Sequence, residues 1–440
     1  MSSTVEMFDP CEDARPIAFR GSDVVTRARF RDEVAALYER LPAAGPMINL
    51  CEDRYRFLAA YAAAVAKRHT VLLPPSRAEH VIDEVRASHP GSYIIDDAEV
   101  AAALEAARPS SLRATPDPND LVMIGFTSGS TGQAKQFPKT LRAITGSNNC
   151  NVRTIRSALS RTDAQPGPWI VATVPPQHMY GMELSILLPL FGGMAIHSGR
   201  PLFPADIAQA LEQIPEPRVL VSTPVHLRAM VASEQRFPRV ALIVSATAPL
   251  DAALARDVEC VLQGEMLELF GSTETCVFAH RYTARENAWR LYPGVTLTPQ
   301  SEGTLVEAPW FDMPTLLQDF VELKNDGTFT LRGRNTDLIE VAGKRASLAD
   351  LTRRILDIKG VADAVVFQPE AEAVATIRRV AALVVAPSLT PKQILEELAA
   401  SVDPAFLPRP LVIVERLPRN EVGKLPRERL LAALKRAPSG

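Results

Sequence analysis

The chain has 440 residues, 47% of them hydrophobic and 22% charged, with a formal net charge of −3. That length exceeds what one hydrophobic core ordinarily serves and implies two or more domains; the composition excludes a disordered chain, and the charge gives no footing for a nucleic-acid partner. Five cysteines, at positions 11, 51, 150, 260 and 276, include no Cys-x-x-Cys pair, which points to a reducing compartment and away from zinc.

The N-terminus, "MSSTVEMFDPCEDARP", is polar and acidic rather than signal-like, so a cytoplasmic protein is expected. Residues 29–40 and 55–68 read as amphipathic helices. "TVLLPP" reads as a strand stopped by a double proline, "EHVIDEVRASHP" as a helix, and "SYIIDD" as a short strand. This alternation predicts an α/β layered fold. Residues 107–119, rich in Pro and Ser, read as a surface connector. An apolar strand, "DLVMIGF", then runs directly into "FTSGSTGQAK", Phe126 to Lys135.

Further apolar strands are expected at 169–176, 218–224 and 240–249, with a helix at 206–214. Near-continuous apolar strands separated by helices imply a mostly parallel sheet covered on both faces, with functional loops beyond the C-terminal strand ends. The longest apolar stretch, Met179 to Ile196, carries Glu183, Pro189 and a glycine pair, which favours a buried core segment over a membrane span. After about residue 290 the strands become short and alternating, and an Asn-Asp-Gly turn predicts a hairpin. From about 335 the order is helix 347–358, strands 361–368 and 381–387, helix 391–400, strand 409–417 and a final helical stretch, a small α+β domain.

The loop "FTSGSTGQAK" concentrates phosphate donors. Gly129 and Gly132 let backbone N–H groups face an anion, Thr127, Ser128, Ser130 and Thr131 add hydroxyls, and Lys135 adds a charge. A surface turn has similar content. The nucleotide-binding alternatives fail on spacing: Gly132 is followed by Gln133, Ala134 and Lys135 rather than Lys-Ser/Thr, and no Gly-x-Gly-x-x-Gly is present.

In that context the loop resembles the signature of adenylate-forming enzymes, the superfamily of acyl-CoA synthetases, aryl-acid ligases, luciferases and peptide-synthetase adenylation domains. Further segments resemble that family's motifs in its order: "VPPQHMYGME" (174–183), "SATAPL" (245–250), "LFGSTET" (269–275), "LLQDFVEL" with Asp319, "GRNTDLIEVAGKR" (333–345) and "PRNEVGKLPR" (418–427). The resemblance extends from about residue 120 to the end. It implies the family's fold: a large N-terminal domain with layered sheets and helices, residues 1–334, and a small mobile α+β domain, 337–440, with a hinge at 335–336.

The resemblance also implies roles. Lys424 would bridge carboxylate and α-phosphate, where a cation offsets the repulsion of two anions. Glu274 would hold Mg2+, a cation that prefers oxygen ligands, and Thr273 would donate to the α-phosphate. Ala246, Thr247, Ala248, Phe270 and Gly271 would lie against the adenine. Asp319 and Arg334 would hold the ribose hydroxyls, His178 would face the acid, and Gly343 would line the thiol tunnel. The departures are Ala134 and Gln136 for the family's Pro and Gly, "LLQ" before Asp319, Phe270 for Tyr, and Thr336 at the hinge.

The implied reaction consumes ATP with Mg2+, forms an acyl-adenylate and passes the acyl group to a phosphopantetheine thiol. The chain's shortness resembles stand-alone aryl ligases of bacterial pigment clusters, of the xanthomonadin and aryl-polyene type. That favours loading an aromatic acid such as 3-hydroxybenzoate onto an acyl carrier protein, with coenzyme A as the alternative acceptor. A nucleotide-binding scaffold without catalysis is disfavoured by the retention of Lys424, Glu274, Asp319 and Arg334.

Overall fold

A computed structural model describes residues 6–127, 135–161, 165, 167–334, 338–341, 344–369, 380–399, 402–420, 423 and 425–436, with backbone alone at 334, 338–341, 344–347, 349 and 350. The chain divides into two compact units: Met1–Thr296 with Glu307–Pro314, and Leu297–Val306 with Thr315–Gly440. The first is a large α/β region with layered sheets and helices; the second ends in a smaller α+β region.

Two sheets organise the first unit. In the smaller, the strands run in the order Tyr93–Ile95, Met47–Asn49, Val71–Leu73, Leu121–Thr127 and Lys135–Thr140. The first four are parallel, and the last returns antiparallel from residues 128–134, placing Thr127 opposite Lys135.

The larger sheet has a parallel centre. Its strands Glu265–Ser272, Leu242–Ser245, Arg218–Ser222, Trp169–Ala172 and Ala195–His197 lie side by side. Cys276–Arg281 and Trp289–Leu291 extend one edge antiparallel. Helices Pro204–Glu212, Pro224–Val231 and Ala252–Leu262 bury Leu211, Leu227 and Val258 with Val171, Leu220 and Ile243 of the strands. Helix Leu141–Ala158 and the helical run 179–191 cover the opposite side. Apolar surface on both faces is why these strands read as unbroken hydrophobic runs.

The strand expected at 169–176 stops at Ala172, because Pro175 and Pro176 cannot donate ladder hydrogen bonds. The 240–249 strand is likewise only Leu242–Ser245, and Thr247 just beyond it has φ +78°. The apolar stretch from Met179 is a buried helical run that widens into a π-turn over Glu183–Leu187. No helix among the described residues is long and apolar enough to cross a membrane. None of the five cysteines is paired.

The second unit contains the expected hairpin. Strand Asp319–Leu323 pairs antiparallel with Thr328–Arg334, and Lys324 N–H donates to the Thr328 carbonyl at 2.8 Å to close the Asn-Asp-Gly turn. Farther on, Asp363–Phe367, Ala381–Val385 and Leu411–Ile413 form a three-stranded sheet. Helices Leu348–Leu356 and Pro391–Ala399 pack on one face through Leu351, Ile355, Ile394 and Leu398. Leu430 of helix Arg427–Arg436 packs on the other, with Phe367 and Leu383.

Candidate functional site

The parallel strands of the first unit end along one edge, and the expected motifs begin there. Ala246, Thr247 and Ala248 follow Leu242–Ser245. Gly271 lies near the end of Glu265–Ser272, leading into the turn with Thr273 and Glu274. Val174 to His178 follow Trp169–Ala172. This is the crevice position at which parallel α/β sheets present ligand-binding loops.

His178 is half-buried at the N-terminal cap of helix Met179–Met182. Two contacts seat that helix. The Tyr180 hydroxyl lies 3.1 Å from the Ser222 carbonyl and 2.9 Å from the Val244 carbonyl, at the ends of two neighbouring strands. Gly181 packs so tightly that a Cβ there would stand 1.9 Å from the Pro175 carbonyl oxygen. Arg54, fully buried, supports the preceding segment by donating to the carbonyls of Ala172 at 2.9 Å and Val174 at 2.7 Å, and to the Ser185 hydroxyl. Burial depresses its guanidinium to about 9, with the Arg200 charge acting in the same direction.

A polar group occupies the same edge. His226 Nδ1 lies 2.9 Å from Thr223 Oγ1 and 3.3 Å from Thr173 Oγ1, and Thr173 Oγ1 is 3.0 Å from Ser222 Oγ. Burial, and then the Arg200 charge, lower the His226 pKa to about 4, so the imidazole is neutral near pH 7. The sequence reading assigned His226 nothing, because Thr173, which completes its setting with the nearby Thr223, comes from a strand end 53 residues away.

The two sheets meet where the phosphate-type loop begins. A Cβ at Gly125 would stand 2.7 Å from Thr273 Cγ2, so the strand entering residues 128–134 lies directly against the "STET" turn. Lys139, on the returning strand, donates its ammonium to the backbone carbonyl of Glu274. The structure thus brings Thr127, Lys135, Thr273 and Glu274 into one region. The turn is closed internally: Ser272 N–H donates to Thr275 Oγ1 at 3.1 Å, and Thr275 N–H to Ser272 Oγ at 3.3 Å. The half-buried Glu274 carboxylate enters no hydrogen bond or ion pair among the described residues. Phe270 is half-buried, its ring centroid 5.2 Å from those of both Phe278 and Trp289, so the aromatic beside the turn is also part of the core.

Asp319 and Arg334 belong to the second unit, where they are register partners in the hairpin. The Asp319 carbonyl accepts from Thr304 Oγ1 at 2.7 Å. Arg419 holds Gly423, the described residue just before position 424. Its Nε and Nη2 contact the Asp363 carboxylate at 2.8–3.1 Å, while Nη1 donates to the Gly423 carbonyl at 2.8 Å. Lys424 itself, Ser128, Gly129, Ser130, Thr131, Gly132, Ala134, Thr336, Gly343 and the Arg334 side chain lie outside the described residues.

Sequence reasoning missed Lys139, Glu183, Arg54 and Tyr180. For Glu183 there was a signal, a lone carboxylate inside an apolar run. For Lys139, in "QFPKT", there was none.

Known proteins resemble this chain in sequence and fold. A 4-coumarate–CoA ligase from Halorhodospira halophila is 26% identical over 306 residues, covering 68% of this chain and 73% of its own. A 3,4-dihydroxybenzoate–[aryl-carrier protein] ligase from Bacillus anthracis is 22% identical, covering 70% and 73%. ATP-bound MatB from Rhodopseudomonas palustris shares the fold with a TM-score of 0.77, at 18% identity over 97% of both chains. A family model described as AMP-binding enzyme matches residues 47–307, more than half of the chain, and the chain therefore belongs to the AMP-binding enzyme family.

Proposed function

We propose that this AMP-binding enzyme is an acid–thiol ligase that activates an aromatic carboxylic acid with ATP and transfers the acyl group to free coenzyme A. The observation that carries the reading is the junction of the two sheets. There, Gly125, on the strand that leads into the phosphate-type segment, lies against Thr273 of the turn that also bears Glu274.

In the first half-reaction a carboxylate oxygen of the acid attacks the α-phosphorus of ATP. The new P–O bond forms as the bond to the β-phosphate oxygen breaks, releasing pyrophosphate. Thr127, Ser128, Gly129, Ser130, Thr131, Gly132 and Lys135 hold the departing phosphates. Thr273 donates to the α-phosphate, and Lys424 offsets the repulsion between carboxylate and phosphate. Ala246, Thr247, Ala248, Phe270 and Gly271 hold the adenine, while Asp319 and Arg334 hold the ribose. Glu274, whose carboxylate oxygens no described residue engages, suits Mg2+, which would neutralise phosphate charge. In the second half-reaction the thiol sulfur attacks the acyl carbon and AMP leaves. His178 orients the carboxyl group for both steps, and Gly343 lines the path of the thiol.

Relatives named as CoA ligases support coenzyme A over the carrier protein expected from the chain's shortness. The names 4-coumarate and 3,4-dihydroxybenzoate support a hydroxylated aromatic acid, of which 3-hydroxybenzoate is one. A carrier-protein acceptor is the second reading, favoured by the aryl-carrier-protein ligase among the relatives. The test is pyrophosphate release across hydroxybenzoates, cinnamates and short aliphatic acids, followed by mass detection of products with coenzyme A and with phosphopantetheinylated carrier protein. AMP, pyrophosphate and an aryl-CoA are expected; ADP as product overturns the reading, and acylation of the carrier protein alone replaces its acceptor.

A further inference from the structure

We infer that Lys139 and Glu183 form a buried clamp on the turn Ser272–Val277 and act as positioning residues for adenylation. The inference rests on the reading of Thr273 and Glu274 as phosphate- and metal-facing groups.

The two grips fall on either side of the turn. Lys139 is only 6% exposed, and its ammonium donates to the carbonyl of Glu274. Glu183 is 2% exposed, and both its oxygens lie 3.1 Å from the N–H of Val277. Between the gripped residues, Cys276 adopts φ +57°, a left-handed conformation that a side chain disfavours and that persists only where the surroundings hold it.

The carboxylate is itself fixed. Ser147 Oγ donates to Glu183 at 2.7 Å, and Asn151 Nδ2 donates at 3.3 Å. Tyr292 donates to Asn151 Oδ1 at 2.8 Å, so the amide can turn only its NH2 toward Glu183. Burial raises the Glu183 pKa; the hydrogen bonds from Ser147, Val277 and Asn151, and then the Lys139 charge, oppose the rise.

A buried carboxylate costs stability unless its hydrogen bonds compensate, and an apolar residue would pack this helical face without that cost. What the apolar residue would not supply is an acceptor for Val277. Glu183 also lies five residues beyond His178 on the same helical run, at the start of the π-turn Glu183–Leu187. The clamp therefore ties the segment that faces the acid to the turn that faces the phosphates. With either grip removed, the backbone at Glu274 or Val277 keeps only its remaining contacts, the Ser272–Thr275 hydrogen bonds and the one from Ser147 Oγ to the Val277 carbonyl at 3.1 Å, and the aim of Thr273 and Glu274 loosens. Transition-state stabilisation depends on such preorganisation more than ground-state binding does.

The test uses the full chain with Lys139→Met, Glu183→Ala and Glu183→Gln. It measures ATP–pyrophosphate exchange with an acid the wild type accepts, thioester formation from supplied acyl-adenylate, and folding by circular dichroism. Lys139→Met and Glu183→Ala are expected to lower exchange kcat by about tenfold or more, while KM for the acid changes less than about threefold. Thioester formation from the adenylate is retained, and Glu183→Gln, which keeps one acceptor for Val277 but turns an NH2 toward a donor, falls between wild type and Glu183→Ala in exchange rate. If Glu183→Ala does not fold, Lys139→Met and Glu183→Gln carry the test. Wild-type exchange rates in folded Lys139→Met overturn the clamp, as does an equal fall in both half-reactions. A wild type that releases no pyrophosphate with any acid overturns the functional reading and the inference together.

Discussion

Asp319 and Arg334, fifteen residues apart in the chain, stand directly opposite each other across an antiparallel pair. The turn between their strands and a one-residue bulge opposite Phe320–Val321 together set that register, which places an acceptor-bearing and a donor-bearing residue side by side. If the pair holds a ribose, Asp319→Ala loses an acceptor for the hydroxyls. An increase of about tenfold in KM for ATP, with a smaller change in KM for the acid, is the expected result. It is read from pyrophosphate exchange at varied ATP; an unchanged KM for ATP removes Asp319 from the site.

Arg419 connects Asp363 to the carbonyl immediately before Lys424. Lys424→Ala should slow adenylation by about a hundredfold or more while sparing thioester formation from supplied acyl-adenylate. Asp363→Ala leaves the Arg419 guanidinium without its carboxylate at a site where the pair is only 18–20% exposed. It should cost about 1–3 kcal/mol of stability, measured by urea unfolding, and slow adenylation less than Lys424→Ala does.

Gly181→Ala is expected to destabilise the fold by about 1–3 kcal/mol or more, because the new methyl would meet a backbone carbonyl rather than a side chain that can swing away. The urea midpoint checks this. An unchanged midpoint would mean that the helix bearing His178 can shift off Pro175 without cost.

His226 supplies a pH prediction with a definite sign. Its pKa is about 4 in the fold, against 6.5 for an ordinary histidine. Above pH 6.5 neither state is protonated, and the contribution to stability is fully present. As pH falls from 6.5 toward 4, the unfolded chain takes up a proton that the folded chain refuses, and stability is lost, by on the order of 3 kcal/mol. His226→Gln should flatten that part of the acid limb, measured by urea unfolding between pH 4.5 and 7.5. Parallel wild-type and variant curves would contradict it.

The fold was legible where a local pattern had one physical cause. The Asn-Asp-Gly turn announced the hairpin, and apolar runs broken by helices announced the parallel sheet. Boundaries slipped where a special backbone intervened, as at Pro175 and Thr247. Site residues named from motifs fell at strand ends because those motifs are themselves strand–loop junctions. Lys139 was illegible for the opposite reason: its carbonyl partner lies 135 residues away, and nothing near "QFPKT" distinguishes a buried lysine from a solvated one. Arg54 was hidden similarly, since two of its acceptors are main-chain carbonyls, which carry no residue-type signal, and the third, the Ser185 hydroxyl, lies 131 residues away.

The Tyr180 hydroxyl closes the ends of two adjacent strands at once. Lifting its helix would break that shared contact and leave a buried hydroxyl without a partner, which resists displacement of the segment that carries His178. If His178 faces the acid, as proposed, an acid of different shape is accommodated by exchanging side chains along that segment rather than by moving it. On that reading, substrate range should change in discrete steps with single substitutions rather than broaden gradually.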